Sequence, residues 1–111
     1  MKSTISKYKA DWQGMSLAKN DQQMSAMPIA GVIHTLNWKE QFPVAPETSF
    51  TLAHTDEMLY IRFEVKGEIP LSTKTKDLEL VNEDACVEIF IGDEDNTHYW
   101  NFEFNPAGVC N

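Results

Sequence analysis

Two alternating stretches, Leu80–Ile91 and His98–Asn105, flank the turn-forming run Gly92-Asp93-Glu94-Asp95-Asn96-Thr97 and constrain the fold of this chain more than any other part of it. Both are rich in β-branched and aromatic residues, and apolar positions recur at every second residue, the pattern of half-buried strands. Together they predict a β-hairpin. With Gly92 facing Thr97, the loop runs from Asp93 to Asn96, and antiparallel pairing sets Ile91 opposite His98, Glu88 opposite Asn101 and Cys86 opposite Glu103. One face then carries Val87, Ile89, Ile91, Trp100, Phe102 and Phe104, an apolar set suited to a core. The other carries Cys86, Glu88, Phe90, Tyr99, Asn101, Glu103 and Asn105, where aromatic rings stand among groups that can hydrogen-bond. A loop one residue longer or shorter would exchange partners between the faces.

A second hairpin is predicted upstream, from Glu47–His54 and Met58–Lys66. A tight turn at Thr55-Asp56 pairs Leu52 with Leu59 and Phe50 with Ile61, so that these four residues, Phe63 and Val65 face one way. Ser49, Thr51, Tyr60, Arg62 and Glu64 are left on the opposite face as a solvated or half-covered sheet surface. The polar connection from Gly67 to Val81 reads as a crossover or a binding loop. Further upstream, Ile29, Val32, Ile33 and Leu36 have helical spacing, but Pro28, Gly31 and the β-branched residues oppose a helix, leaving a helical turn or an irregular strand. Trp38 is expected in the core, and Phe42-Pro43-Val44-Ala45-Pro46 as an extended connector. Residues 1–27 show no sustained stripe, although Tyr8, Trp12 and Met15 can share one side of a short helix. The expected organisation is a segment 1–27 of undetermined structure followed by an antiparallel all-β domain over 28–111, a β-sandwich with immunoglobulin- or jelly-roll-like layers.

A net charge of −8, with nine dispersed basic residues, excludes the clustered cations that nucleic acid or an anionic membrane requires. Neutral or cationic partners fit. No stretch approaches the about 18 apolar residues of a membrane span, and the first residues lack the apolar core of a signal peptide. Cys86 and Cys110 have no metal-type spacing, and a buried thiol at Cys86 with a loose one at Cys110 is favoured over a disulfide. His34, His54 and His98 show no zinc-ligand spacing. Asp93-Glu94-Asp95-Asn96 lacks the spacing of an EF-hand and reads first as a solvated loop, with Asp93 and Asp95 as the candidate calcium ligands and Glu83-Asp84 as candidate additions. Glu88 and Glu103 on neighbouring strands resemble a glycosidase carboxylate pair in type, yet as plain acceptors for hydroxyl groups they require far less of their surroundings.

The blocks Ser49-Phe50-Thr51-Leu52-Ala53-His54, Leu59-Tyr60-Ile61-Arg62-Phe63-Glu64-Val65, Glu83-Asp84-Ala85-Cys86-Val87-Glu88-Ile89-Phe90-Ile91 and Tyr99-Trp100-Asn101-Phe102-Glu103-Phe104-Asn105, with Pro43, Pro46 and Gly108, resemble the family 9 carbohydrate-binding modules among the DOMON-like β-sandwiches. The resemblance implies a non-catalytic module that docks on oligo- or polysaccharide of the xylan or cellulose type, often attached to glycoside hydrolases, extracytoplasmic and often carrying structural calcium. It implies sugar contacts at Glu88 and Asn105, to which the polar face adds Asn101 and Tyr99. Asn82 stands where such modules place a stacking tryptophan and Glu103 where they place an arginine. Family members continue beyond Gly108, so a chain stopping at Asn111 is expected to be a partial domain that self-associates through an uncovered sheet edge. Two other readings stand beside it: a haem-binding DOMON-like redox domain using Met58 or His98 as axial ligand, and a structural domain whose sugar site has decayed.

Overall fold

The computed structural model describes residues 4, 5, 7, 8, 12, 14–67 and 69–111, which form two compact units, Met1–Gly67 and Glu68–Asn111. The first contains α1 (Leu17–Ser25), β1 (Gly31–Ile33), β2 (Glu47–His54) and β3 (Leu59–Lys66), the strands forming an antiparallel sheet in the order β1-β2-β3. Ser16 starts the helix as an N-cap: its Oγ accepts from the Lys19 amide at 3.3 Å. Of the two outcomes open at residues 29–36, the short strand β1 forms. Gly31 pairs with Phe50, and a Cβ at Gly31 would come within 2.7 Å of the Phe50 ring, so the ring occupies the place of a side chain there.

The register of β2 and β3 differs from expectation. Leu52 pairs with Ile61, Phe50 with Phe63 and His54 with Leu59, which makes the loop Thr55–Met58. Thr55 closes it: its amide donates to the Met58 carbonyl at 2.9 Å, and its Oγ1 accepts from the Met58 amide at 3.2 Å. Because partners shift by an even number of positions, the faces are those expected.

Their covering is not. Trp12, Met24 and Ala53 are buried, with Tyr8, Met27 and Tyr60 packed around them. The Trp12 ring meets Tyr60 edge-on at 4.9 Å and lies 5.3 Å from Tyr8. The sheet face expected to be solvated or half-covered therefore carries the core, and Arg62 on that face binds Asp21 of α1 at 2.7 Å and Glu64 at 2.9 Å. Tyr8 is joined to β2 through its amide, which donates to the His54 carbonyl at 2.8 Å. The short helix expected to carry Tyr8, Trp12 and Met15 lies partly outside the described residues; Met15 is exposed and Trp12 buried. Trp38, expected in the core, is 68% exposed in the turn before the proline-rich connector. Leu59 and Val65, from the apolar face, are also exposed.

The second unit contains a 3₁₀ turn (Val81–Glu83), β4 (Val87–Gly92) and β5 (Tyr99–Phe104), the strands pairing antiparallel. Ile91 pairs with Trp100 and Gly92 with Tyr99, so this loop also runs longer than expected, from Asp93 to His98. Its first residue again closes it: the Asp93 amide donates to the His98 carbonyl at 3.1 Å, and its carboxylate accepts from the Thr97 amide at 2.8 Å and the His98 amide at 3.1 Å. The faces are once more retained, but Trp100 is 58% exposed and Phe102 37%, so neither is the buried core residue expected. After β5 the chain turns at Asn105–Gly108, where the Gly108 amide donates to the Asn105 carbonyl at 2.9 Å and Gly108 takes a φ of +79°. It returns along β5 with Cys110 beside Phe104, and Glu103 and Asn111 exchange backbone hydrogen bonds at 3.0 and 2.9 Å. Both sheets are antiparallel and α1 is short, in keeping with the all-β expectation. Among the described residues no helix is long and apolar enough to cross a membrane.

Candidate functional site

The polar face of β4 and β5 is built by alternation. Glu88 and Phe90 on β4 share it with Tyr99, Asn101 and Glu103 on β5, and the register sets Phe90 against Asn101 and Glu88 against Glu103. Tyr99 opposes Gly92, which has no side chain, and its ring lies diagonally beside Phe90 with centroids 5.7 Å apart. Both rings are exposed, Phe90 at 58% and Tyr99 at 69%. Next along the face comes a carboxylate row: the Asn101 amide donates to Glu88 at 3.1 Å, and the Asn111 amide to Glu103 at 3.1 Å. Two same-face steps separate the Tyr99 row from the Glu103 row, about 13–14 Å at strand rise. An aromatic platform thus adjoins hydrogen-bonding groups along one open strip.

Beside this strip lies a second arrangement, enclosed instead of open. Asp84, directly after the 3₁₀ turn, is buried, and its carboxylate accepts from the Thr73 hydroxyl at 2.6 Å, the Thr73 amide at 2.8 Å, the Lys74 amide at 2.9 Å and the Asn105 side chain at 3.1 Å. Burial works to raise its pKa, but these hydrogen bonds outweigh it and hold the carboxyl well below the usual carboxylate range. Asn105 is 5% exposed; its Nδ2 donates to Asp84 and to the Lys74 carbonyl at 2.9 Å, while its Oδ1 accepts from the Ala107 and Val109 amides at 3.1 and 3.0 Å. Every hydrogen-bonding function of that amide is engaged inside the unit. The same segment is tied down further by Glu79, which accepts from the Thr75 and Lys76 amides and has its pKa lowered by them, and by Lys74, whose ammonium binds Glu83 at 2.7 Å.

Of the residues singled out in the sequence, Glu88, Asn101, Tyr99 and Glu103 lie together on the open strip. Asn82 is exposed on the 3₁₀ turn, an element that packs against β5. Asn105 lies at the end of β5 inside the Asp84 cluster. Phe90 and Asn111 complete the strip and were not singled out; alternation placed Phe90 on the face, but its pairing with Tyr99 needed the true register. Asp84 is expected from the sequence only as a further oxygen donor to a calcium ion; its carboxylate is instead held by partners ten and more positions away in sequence.

The two calcium candidates serve the loop. Asp93 accepts from Thr97 and His98, and Asp95 accepts from the Thr97 hydroxyl at 2.9 Å. Burial would raise the Asp93 pKa, yet the hydrogen bonds from His98 and Thr97 lower it on balance. Among the described residues no group of three or more His, Cys, Asp or Glu side chains is arranged to hold a metal ion. Cys86, expected to be buried, is exposed, and both thiols are free. Partial desolvation of the sulfur, then the charges of Glu103, Glu88 and Asp84, push the Cys86 thiol up, which keeps it protonated and a poor nucleophile.

The second unit is thus an antiparallel two-stranded sheet with paired rings, amides and carboxylates along one face. Residues 18–111 match the family model for carbohydrate-binding family 9, and the chain belongs to that family. The match begins inside α1 and so takes in elements of both units. No curated protein and no solved structure matches the chain.

Proposed function

We propose that the chain is a non-catalytic carbohydrate-binding module, accessory to the breakdown of xylan- or cellulose-type polysaccharide, that receives a short oligosaccharide on the β4–β5 strip. The observation carrying this reading is the exposed Phe90–Tyr99 pair set beside the Glu88–Asn101 hydrogen bond. Sugar rings present an apolar C–H face and a rim of hydroxyls. Such a ligand needs a π surface for the first and acceptors for the second, at exposed positions. In this reading Tyr99 and Phe90 stack, Glu88, Asn101 and Glu103 accept or donate at the hydroxyls, and Asn82, exposed on the 3₁₀ turn of the same unit, offers a further amide. Asn105 contributes from inside the unit, holding the segment at Lys74 and the turn after β5 in place.

Isothermal titration with xylo- and cello-oligosaccharides tests the reading. Binding is expected in the millimolar to micromolar range, weakened at least fivefold by Tyr99→Ala, since aromatic stacking on a planar ligand contributes about 1–3 kcal/mol in comparable settings. No heat with any sugar at millimolar concentration would discard it.

A further inference from the structure

The β4–β5 strip holds two carboxylates and, among the described residues, no lysine or arginine paired with either. Glu88 and Glu103 are direct cross-strand partners, which places their Cβ atoms about 4.5–5.5 Å apart. Like charges so opposed destabilise a sheet, and the hydrogen bonds they receive from side chains among the described residues come from neutral amides, Asn101 and Asn111. The ion pairs formed by lysine and arginine among the described residues go elsewhere: Lys7 to Asp56, Arg62 to Asp21 and Glu64, Lys66 to Glu47, Lys74 to Glu83. Among the described residues the pair, an exposed Glu88 and a half-buried Glu103, is therefore a negative site without a cation bound to it, at the end of an aromatic platform.

We propose that this strip selects saccharides bearing a protonated amine, of the glucosamine type, over neutral and anionic ones, with Glu103 as the specificity-determining residue opposite Glu88. The inference rests on the saccharide reading above. An ammonium supplies donors to both carboxylates at once and relieves their mutual repulsion, which a neutral hydroxyl does only in part. Its charge is also attracted to the faces of the neighbouring rings. A uronic acid meets the same two carboxylates as like charges and is repelled. An exposed charge pair at about 4 Å in water is worth at most roughly fivefold in affinity and, with the screening of even a low-salt buffer, about threefold, so two carboxylates together give about tenfold.

The experiment compares, by titration calorimetry on the whole chain at pH 6, a glucosamine tetramer, its N-acetylated counterpart and cellotetraose, at low salt and again in about 0.5 M salt. An amine of ordinary pKa is protonated at that pH. The glucosamine tetramer is expected to bind about tenfold more tightly than the other two, and salt should erase most of the difference. Glu103→Gln is expected to bring the three affinities within about threefold of one another. Glu94→Gln removes the same charge from the exposed loop and is expected to keep the preference. Equal affinities in the parent chain overturn the inference while leaving the saccharide reading in place, as does an equal loss of preference in both variants, which would mark non-specific attraction to the acidic chain. Silence from all three sugars removes the saccharide reading and this inference with it.

Discussion

In the first unit a buried indole, Trp12, sits against Tyr8 and Tyr60 beside Ala53, whereas in the second a buried carboxylate, Asp84, is held by Thr73, Lys74 and Asn105. Val81 and Val109 are the buried apolar residues of that second unit. The difference is one of specificity as well as of strength. Apolar burial is non-directional and indifferent to pH, so it can cover a sheet with whatever rings and thioethers the chain supplies. A buried carboxylate has to receive hydrogen bonds at defined places, and in return it fixes the backbone at Thr73 and Lys74 and the turn after β5. The open strip of β4 and β5 belongs to the unit held in this second way.

The sharpest way to break the comparison is at the indole. Trp12→Ala removes the largest ring of the apolar cluster, and large-to-small changes of this kind cost about 3–5 kcal/mol. Urea unfolding should show that loss, with the cost unchanged between pH 5 and 8 because none of Trp12, Met24 and Ala53 titrates. Hydrogen exchange should place the lost protection in β2 and β3, with β5 kept. A comparable loss of protection at Asn105 and Val109 would mean that the two clusters do not differ in the way described.

The second cluster is probed by Asn105→Ala, which strands buried groups at both ends of the amide, the Lys74 carbonyl and the Ala107 and Val109 amides among them. The expected cost is about 2–4 kcal/mol. Here pH matters. The carboxyl of Asp84 titrates lower in the folded chain than in the unfolded one, so its contribution is present above the unfolded value of about 3.9 and is lost as pH falls through the depressed folded value. Withdrawing the Asn105 donor moves the folded value back up, and the acid transition of the variant, followed by the exchange of the Val109 amide, should begin at higher pH than that of the parent. An unchanged acid transition would disconnect Asn105 from Asp84.

Much of this was readable from alternation alone. Both hairpins and the sorting of residues to faces follow from the two-residue period, and Glu88, Tyr99, Asn101 and Glu103 fall on one strip because that period survives an even shift in register. What alternation does not carry is covering. Thr51 reads as solvated or half-covered surface because it is polar and nothing marks Ala53 near it, while the cover of that face, Trp12 and Met24, lies in a stretch where Ser, Lys, Gln and Met predominate. Helix α1 buries Met24 alone among its residues, so its apolar stripe is nearly absent, and the Ser16 cap is the main local sign of its start. The Asp84 cluster escaped for a different reason: its geometry joins residues distant in sequence, and no short-range pattern marks a carboxylate that will be buried.

The smallest effect concerns the loops, where the two units do the same thing with different chemistry. Both hairpins run longer than a tight turn because the first loop residue supplies a side-chain oxygen to amides at the far end: Thr55 to Glu57 and Met58, Asp93 to Thr97 and His98. A hydroxyl in this role resembles a helix N-cap, and Thr55→Ala is expected to cost about 0.5 kcal/mol by urea unfolding, the same at pH 4 and pH 7. Asp93→Ala should cost more at neutral pH than Thr55→Ala, because the acceptor lost is charged. Its cost should shrink on acidification: the folded Asp93 carboxyl titrates low, so the stability it brings is present above the unfolded value and lost below it. Equal, pH-independent costs for the two variants would show that the loops are held by their backbone hydrogen bonds, Thr55 to Met58 and Asp93 to His98, and that the side chains follow a register set by the strands.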